Sequence, residues 1–148
     1  MNLIVAYSKK NHGIGNNNSL PWNLKNELKY FKKITSTNKN NLENVIVMGR
    51  NTWNSLPKKP LPNRINVVIT KTPIPNVITY QNLENFYKDY KDKEIYIIGG
   101  KMLYMDALNK EYIKKIYITE IYKEFECDTF FPVISNEFKL IDVSEFQE

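Results

Sequence analysis

The chain has 148 residues, 42% hydrophobic and 25% charged, with a formal net charge of +5. That is enough for one domain with a real core over 1–148, and no stretch approaches the ~20 apolar residues of a membrane span. A single cysteine, Cys127, cannot close an internal disulfide, and the first residues lack the basic start and cleavage site of a secretory leader, so a reducing, cytoplasmic setting is expected.

Short β-branched runs alternate with helical patterns along the chain. Leu3-Ile4-Val5-Ala6-Tyr7 predicts a first strand. Gly13-Ile14-Gly15 and the polar residues after it predict a loop, which by turn chemistry alone is a surface turn. The pattern over Leu24–Thr35 predicts an amphipathic helix with Leu24, Leu28, Phe31 and Ile34 on its apolar side and lysines on its wet side. At about 100° per residue, Glu27 falls between Phe31 and Ile34 on the apolar side. A carboxylate facing a core is costly unless partnered, so a chain that keeps one there has a use for it.

Val45-Ile46-Val47-Met48 predicts the next strand, with a short helical turn after Gly49. Further strands are predicted at Ile65–Ile69, Glu94–Ile98 and Lys115–Thr119, and helices at Leu83–Asp89, with Asn82 as cap, and Lys101–Leu108. Phe138-Lys139-Leu140-Ile141-Asp142-Val143 predicts one more strand. Four of the runs are continuously apolar, which suits strands buried on both faces. The alternation implies an α/β domain with a mainly parallel central sheet flanked by helices, and ligands bind such sheets beyond the carboxyl ends of the strands.

Two segments at those ends share a chemistry. Gly49-Arg50-Asn51-Thr52-Trp53 and Gly99-Gly100-Lys101 each follow a strand with glycine and open a helix, which lets backbone approach a phosphate. A pair of such turns suits a diphosphate-bearing ligand. Positive charge is carried almost wholly by lysine, yet the two arginines, Arg50 and Arg64, both stand beside loop-defining residues. A guanidinium grips carboxylate or phosphate with two donors, and a buried structural ion pair is the alternative for Arg64. His12 reads as a loop histidine, and Cys127 as a packed thiol with no histidine partner. No residues have metal-ligand spacing, so no metal is expected. Basic and aromatic residues do not interleave, so neither nucleic acid nor membrane is an expected partner.

In order along nearly the whole chain, Gly13-Ile14-Gly15, Leu20-Pro21-Trp22, Glu27 before Phe31, Met48-Gly49-Arg50-x-Thr52-Trp53, Leu61-Pro62-x-Arg64, Ile98-Gly99-Gly100-x-x-x-Tyr104 and Asp128-Thr129-Phe130-Phe131-Pro132 resemble the dihydrofolate reductase family. The resemblance implies a single three-layer domain that reduces 7,8-dihydrofolate to tetrahydrofolate with NADPH in one-carbon metabolism. It gives Glu27 the role of active-site acid, with Thr119 bonded to it, Trp22 positioning a water and Leu20 in a loop over the nicotinamide. Ile4, Val5, Ala6, Leu28, Phe31, Leu56, Leu61, Ile98 and Tyr104 would surround dihydrofolate or antifolates such as methotrexate, with Arg64 clamping the glutamate tail. On the cofactor, Arg50, Thr70 and Lys71 would meet the 2′-phosphate. Asn51, Thr52, Gly99, Gly100, Lys101 and Met102 would hold the diphosphate, and Ala6, Ile14, Gly15, Gly49 and Tyr104 would complete the cofactor site. The family also implies a cis peptide at Gly99-Gly100 and a last antiparallel edge strand after the one predicted at 138–143.

That edge strand is lacking here. The expectation is therefore a piece of a longer reductase or of a reductase–thymidylate synthase fusion, or a naturally short monomer. An uncovered edge predicts lower stability or edge-to-edge association. Two other readings stay open on sequence: a same-fold pyrimidine reductase of riboflavin synthesis, and a non-catalytic folate- or nucleotide-binding relic.

Overall fold

Each of the five predicted apolar runs forms a strand in the computed structural model, which describes residues 1–15, 24–38, 40 and 42–145. They are β1 (Asn2–Ser8), β3 (Asn44–Gly49), β4 (Arg64–Ile69), β6 (Ile95–Gly99) and β7 (Lys115–Ile121). With β5 (Ile78–Tyr80) they make a six-stranded sheet in the order β5-β4-β3-β6-β1-β7, every neighbouring pair parallel. The helices are α1 (Lys25–Ser36), α2 (Arg50–Ser55), α3 (Leu83–Tyr90) and α4 (Lys101–Asn109), all in predicted places. The fold is α/β, a parallel sheet between helical layers.

Strand alternation sorts the core into two halves. Leu3, Val5 and Tyr7 of β1 join Val45, Val47, Val67, Ile95 and Ile97 under α3 and α4, where Leu83, Phe86, Leu103, Tyr104 and Ala107 close the layer. Ile4, Ile46, Met48, Val68 and Tyr96 face the other way, toward Trp53 of α2 and Phe31 and Ile34 of α1. Because the strands are parallel, their carboxyl ends lie along one edge of the sheet. Gly49 ends β3, and its neighbour β6 ends at Gly99.

Three short strands escaped the sequence pattern. β5 has three residues, and β2 (Gly13–Gly15) and β8 (Thr129–Phe130) make a small antiparallel pair. Gly13-Ile14-Gly15, read as a surface turn, is thereby a tethered strand whose ladder partner lies far away in sequence.

The strand expected at Phe138–Val143 is not formed. Alternation assigns side chains to two faces, but a strand also needs a neighbour to share ladder hydrogen bonds, and no described strand pairs with this segment. Its apolar side chains accordingly stay in solvent, Leu140 at 84% and Ile141 at 81% exposure.

Asn82 caps α3 as expected: its side-chain oxygen accepts from the Asn85 amide at 2.8 Å. Asn82→Ala should cost about 1 kcal/mol of stability, with most of it restored by Asn82→Ser. Urea unfolding midpoints of the two variants check this, and equal midpoints for Ala and the unaltered chain would count against the cap.

Candidate active site

The glycine-bearing strand ends meet at a cradle. A Cβ on Gly99 would lie 2.9 Å from Thr52 Oγ1, one on Gly100 3.6 Å from the same atom, and one on Gly49 3.9 Å from the Gly100 amide nitrogen. Gly99 has φ +145°, and its peptide bond to Gly100 is cis, as the resemblance implied. Any side chain here would fill the space between β3, β6 and α2. The first turn of α4 leaves from the same place, with Lys101 half-buried and Met102 exposed. Neither Gly49 nor Gly100 offers a side-chain cap, so the first amides of α2 and α4 get no capping side chain there.

Arg50, the first residue of α2, donates from Nη1 to the Thr72 carbonyl at 3.1 Å. That contact lays its guanidinium along the turn after β4, which also carries Thr70 and Lys71. Two cations and a hydroxyl thus gather on one exposed rim of the cradle, while Asn51 is exposed beside them. On the far side, Ile14 of β2 packs against the core layer of α4, and Gly15 is half-buried.

The other half of the site is apolar with polar ends. Ile4, Phe31, Leu56, Leu61 and Ile98 belong to one cluster, drawn from β1, α1, the residues after α2 and β6. Glu27 is 8% exposed on α1, as its helical angle required. Leu28 is 46% exposed, because it lies about 100° further round at the margin of the stripe. A buried carboxylate beside an exposed leucine suits an amphiphilic ligand better than a closed core.

Two elements, α4 and β1, meet near the carboxylate. The Tyr104 hydroxyl, carried by α4, donates to the Ile4 carbonyl at 2.9 Å. Burial first, and the Glu27 carboxylate second, push that hydroxyl well above its usual pKa. Two residues along β1, Ala6 is in register with Thr119 of β7. Val5 differs from its neighbours: its side chain packs in the α3/α4 layer, so its backbone is what it presents beside Ile4. Leu20 and Trp22 lie outside the described residues.

Arg64 is 7% exposed, and among the described residues it takes part in no ion pair. Its Nε donates to the Pro62 carbonyl at 2.9 Å and its Nη1 to Thr35 Oγ1 at 3.0 Å. The structural ion pair offered as its alternative is therefore not what holds it; neutral acceptors do. Burial pulls its pKa down, yet a guanidinium keeps its charge in proteins. Among the described residues, the other three of its five N–H donors meet no acceptor. The sequence reading missed Thr35 and also Asn66, which braces the same loop. Their signal was the one that exposed Glu27, a polar residue inside an apolar pattern.

Comparison with known proteins decides the family. The model of the dihydrofolate reductase family matches residues 1–148. The chain belongs to the dihydrofolate reductase family. A dihydrofolate reductase of Drosophila melanogaster is 40% identical over 150 residues, covering 93% of this chain and 82% of its own. One from Sus scrofa is 41% identical over 157 residues, covering 95% and 84%. A bifunctional dihydrofolate reductase-thymidylate synthase of Daucus carota is 35% identical over 160 residues, covering 97% of this chain but 29% of its own. The dihydrofolate reductase family comprises oxidoreductases that work with a nicotinamide cofactor, so the chain is an enzyme of that class.

Gly99→Ala is expected to destabilise the chain by about 1–3 kcal/mol through the backbone conformation alone, with the Thr52 contact added. Adding Thr52→Ala should recover the contact and leave the backbone part. Thermal unfolding of both variants measures the split, and full recovery in the double variant would refute the conformational share.

Proposed function

We propose that the chain reduces 7,8-dihydrofolate to 5,6,7,8-tetrahydrofolate with NADPH as hydride donor, and that 1–148 form one reductase domain. The first half is the reaction of its family. The observation that carries the reading here is the buried Glu27 carboxylate on the apolar side of α1, with Arg64 at another point of the same apolar cluster's rim.

The pterin ring is flat and apolar on its faces and rich in N–H donors along one edge. Glu27 accepts hydrogen bonds from N3 and the 2-amino group, supported by Thr119. Phe31 and Leu56 flank the rings, while Ile4, Ala6, Leu28, Leu61 and Ile98 complete the slot. The imine to be reduced is a poor electrophile until N5 carries a proton. A buried carboxylate bonded to the ring favours that protonation electrostatically, with water as the carrier and Trp22 positioning it. Tyr104 fixes the β1 carbonyl edge, and the family resemblance gives Leu20, outside the described residues, the part of excluding water over the nicotinamide. Arg64 receives the α-carboxylate of the glutamate tail through its uncommitted donors.

The cradle fits a dinucleotide. Thr52 and the backbone at Gly49, Gly99, Gly100, Lys101 and Met102 would hold the diphosphate, with Asn51 at its side and Ile14, Gly15, Ala6 and Tyr104 toward the nicotinamide. Arg50, Thr70 and Lys71 would hold the 2′-phosphate, which is the support for NADPH over its unphosphorylated counterpart. When bound, NADPH supplies the hydride that reaches C6 of the pterin. A cytoplasmic monomer, or the reductase part of a thymidylate synthase fusion, accommodates this reading.

The direct test follows reduced-nicotinamide absorbance with dihydrofolate, with and without methotrexate, and with the pyrimidine substrate of the riboflavin-pathway reductase. Oxidation that requires dihydrofolate and stops with methotrexate is the expected result; turnover of the pyrimidine alone would overturn it. Glu27→Gln should lower hydride transfer at neutral pH by about 10²–10⁴-fold while cofactor titration by fluorescence is unchanged. Unaltered turnover in that variant sinks the assignment. Arg64→Lys should raise KM for dihydrofolate by roughly tenfold and leave KM for NADPH in place.

A further inference from the structure

Arg64 can hold a carboxylate in one place only if its own position is fixed. A guanidinium on a loop carries several rotatable bonds, and ordering it at the moment of binding weakens the bond. The chain fixes it from two sides, through side chains that no role has so far been given.

Asn66 commits three of the four hydrogen bonds its side-chain amide can make to the turn that presents Arg64. Its Oδ1 accepts from the Leu61 amide, and its Nδ2 donates to the Leu61 and Arg64 carbonyls, each at 2.9 Å. The loop turns through Asn63 at φ +63°, a left-handed conformation that asparagine tolerates. Asn66 thus staples Leu61 to Arg64 where strand pairing cannot.

Thr35 fixes the guanidinium itself. Its hydroxyl donates to the Phe31 carbonyl at 2.7 Å, one turn back on α1, so its oxygen is left to accept from Arg64 Nη1. The side chain is fully buried. Its stretch of helix is anchored in turn by Asn44 at the start of β3, whose Nδ2 donates to the Thr35 carbonyl at 3.0 Å and the Thr37 carbonyl at 2.8 Å. β3 and β4 are in register at Asn44 and Arg64. Helix, strand and loop therefore share one polar brace around a single cation.

We propose that Thr35 and Asn66 are positioning residues for substrate: they pre-orient Arg64 so that its free N–H donors meet the tail carboxylate of the folate, and they do so without touching the reacting ring. The proposal rests on the reading of Arg64 as the carboxylate site. It predicts a defect confined to substrates that carry the tail.

Steady-state kinetics of the full chain with two substrates test it: dihydrofolate, and a 6-methyl-7,8-dihydropterin that lacks the aminobenzoylglutamate tail. Thr35→Val should raise KM for dihydrofolate by roughly tenfold, as loss of a hydrogen bond to a charged group implies, with kcat within about twofold. Thr35→Ser should restore the original KM. Asn66→Ala should raise KM for dihydrofolate by a comparable factor. For the tail-less pterin both variants should match the unaltered chain. A rise in KM for both substrates alike would overturn the proposal, because it would mark a general structural defect. So would an unmoved dihydrofolate KM in Thr35→Val while Arg64→Lys raises it. An unmoved KM in Arg64→Lys as well would fail the reading of Arg64 itself. Should Asn66→Ala not fold, the Thr35 pair decides.

Discussion

Two strand ends and one threonine come so close that a Cβ at Gly99 would crowd Thr52 Oγ1 at 2.9 Å, and the site is organised by that constraint. β3 and β6 are neighbours in a parallel sheet, so their carboxyl ends emerge together and each feeds a helix on a different layer, α2 on one and α4 on the other. Thr52 reaches back to within contact of where Cβ atoms would stand at 99 and 100. Glycine there does two things at once. It admits the backbone conformation of φ +145° at Gly99, and it leaves backbone rather than side chain lining the gap. Arg50 and Met102 face outward because the helices that carry them start at this point.

The rest of the site follows from the alternation of β1. Its odd residues close the layer under α4, and its even residue Ile4 opens the layer under α1. Tyr104 crosses between the two, belonging to the α4 layer but bonding the Ile4 carbonyl. That crossing keeps the backbone edge of β1 fixed exactly where Glu27 acts on the tyrosine hydroxyl. A helix that turned its carboxylate elsewhere would lose the coupling, and the apolar stripe on α1 prevents such a turn.

Much of this was legible in the sequence because the signals were strong and local. Four strands buried on both faces announce themselves as apolar runs, the edge strand β7 shows as a β-branched one, and the angle of Glu27 on its helix is simple geometry. β5, β2 and β8 were not legible, since two or three residues carry no period and their pairing is set by segments far off in sequence. Phe138–Val143 shows the opposite error: the pattern of a strand was present, and among the described residues no strand pairs with it. The brace around Arg64 was missed for a third reason. Thr35 and Asn66 do interrupt the apolar patterns of their elements, but what they do there lies in hydrogen bonds to residues those patterns do not reveal.

Glu27, Thr35 and Asn66 are each a polar side chain at a position where the pattern calls for an apolar one. Each carries a desolvation penalty, so each must be compensated by hydrogen bonds within the fold or with a ligand. Thr35 and Asn66 are compensated internally, and their bonds converge on Arg64, which keeps free donors. Among the described residues the network ends on one cation beside an apolar cluster. Glu27 brings the opposite charge to the same apolar region. On the proposed reading, an acceptor at one point and a cation at another would distinguish the two ends of the ligand: a molecule with N–H donors at one end and a carboxylate at the other would fit in one direction and be repelled in the reverse. Apolar contact supplies affinity without direction. On the proposed reading, direction, and with it the presentation of one ring face to the cofactor, would come from the placement of those two charges.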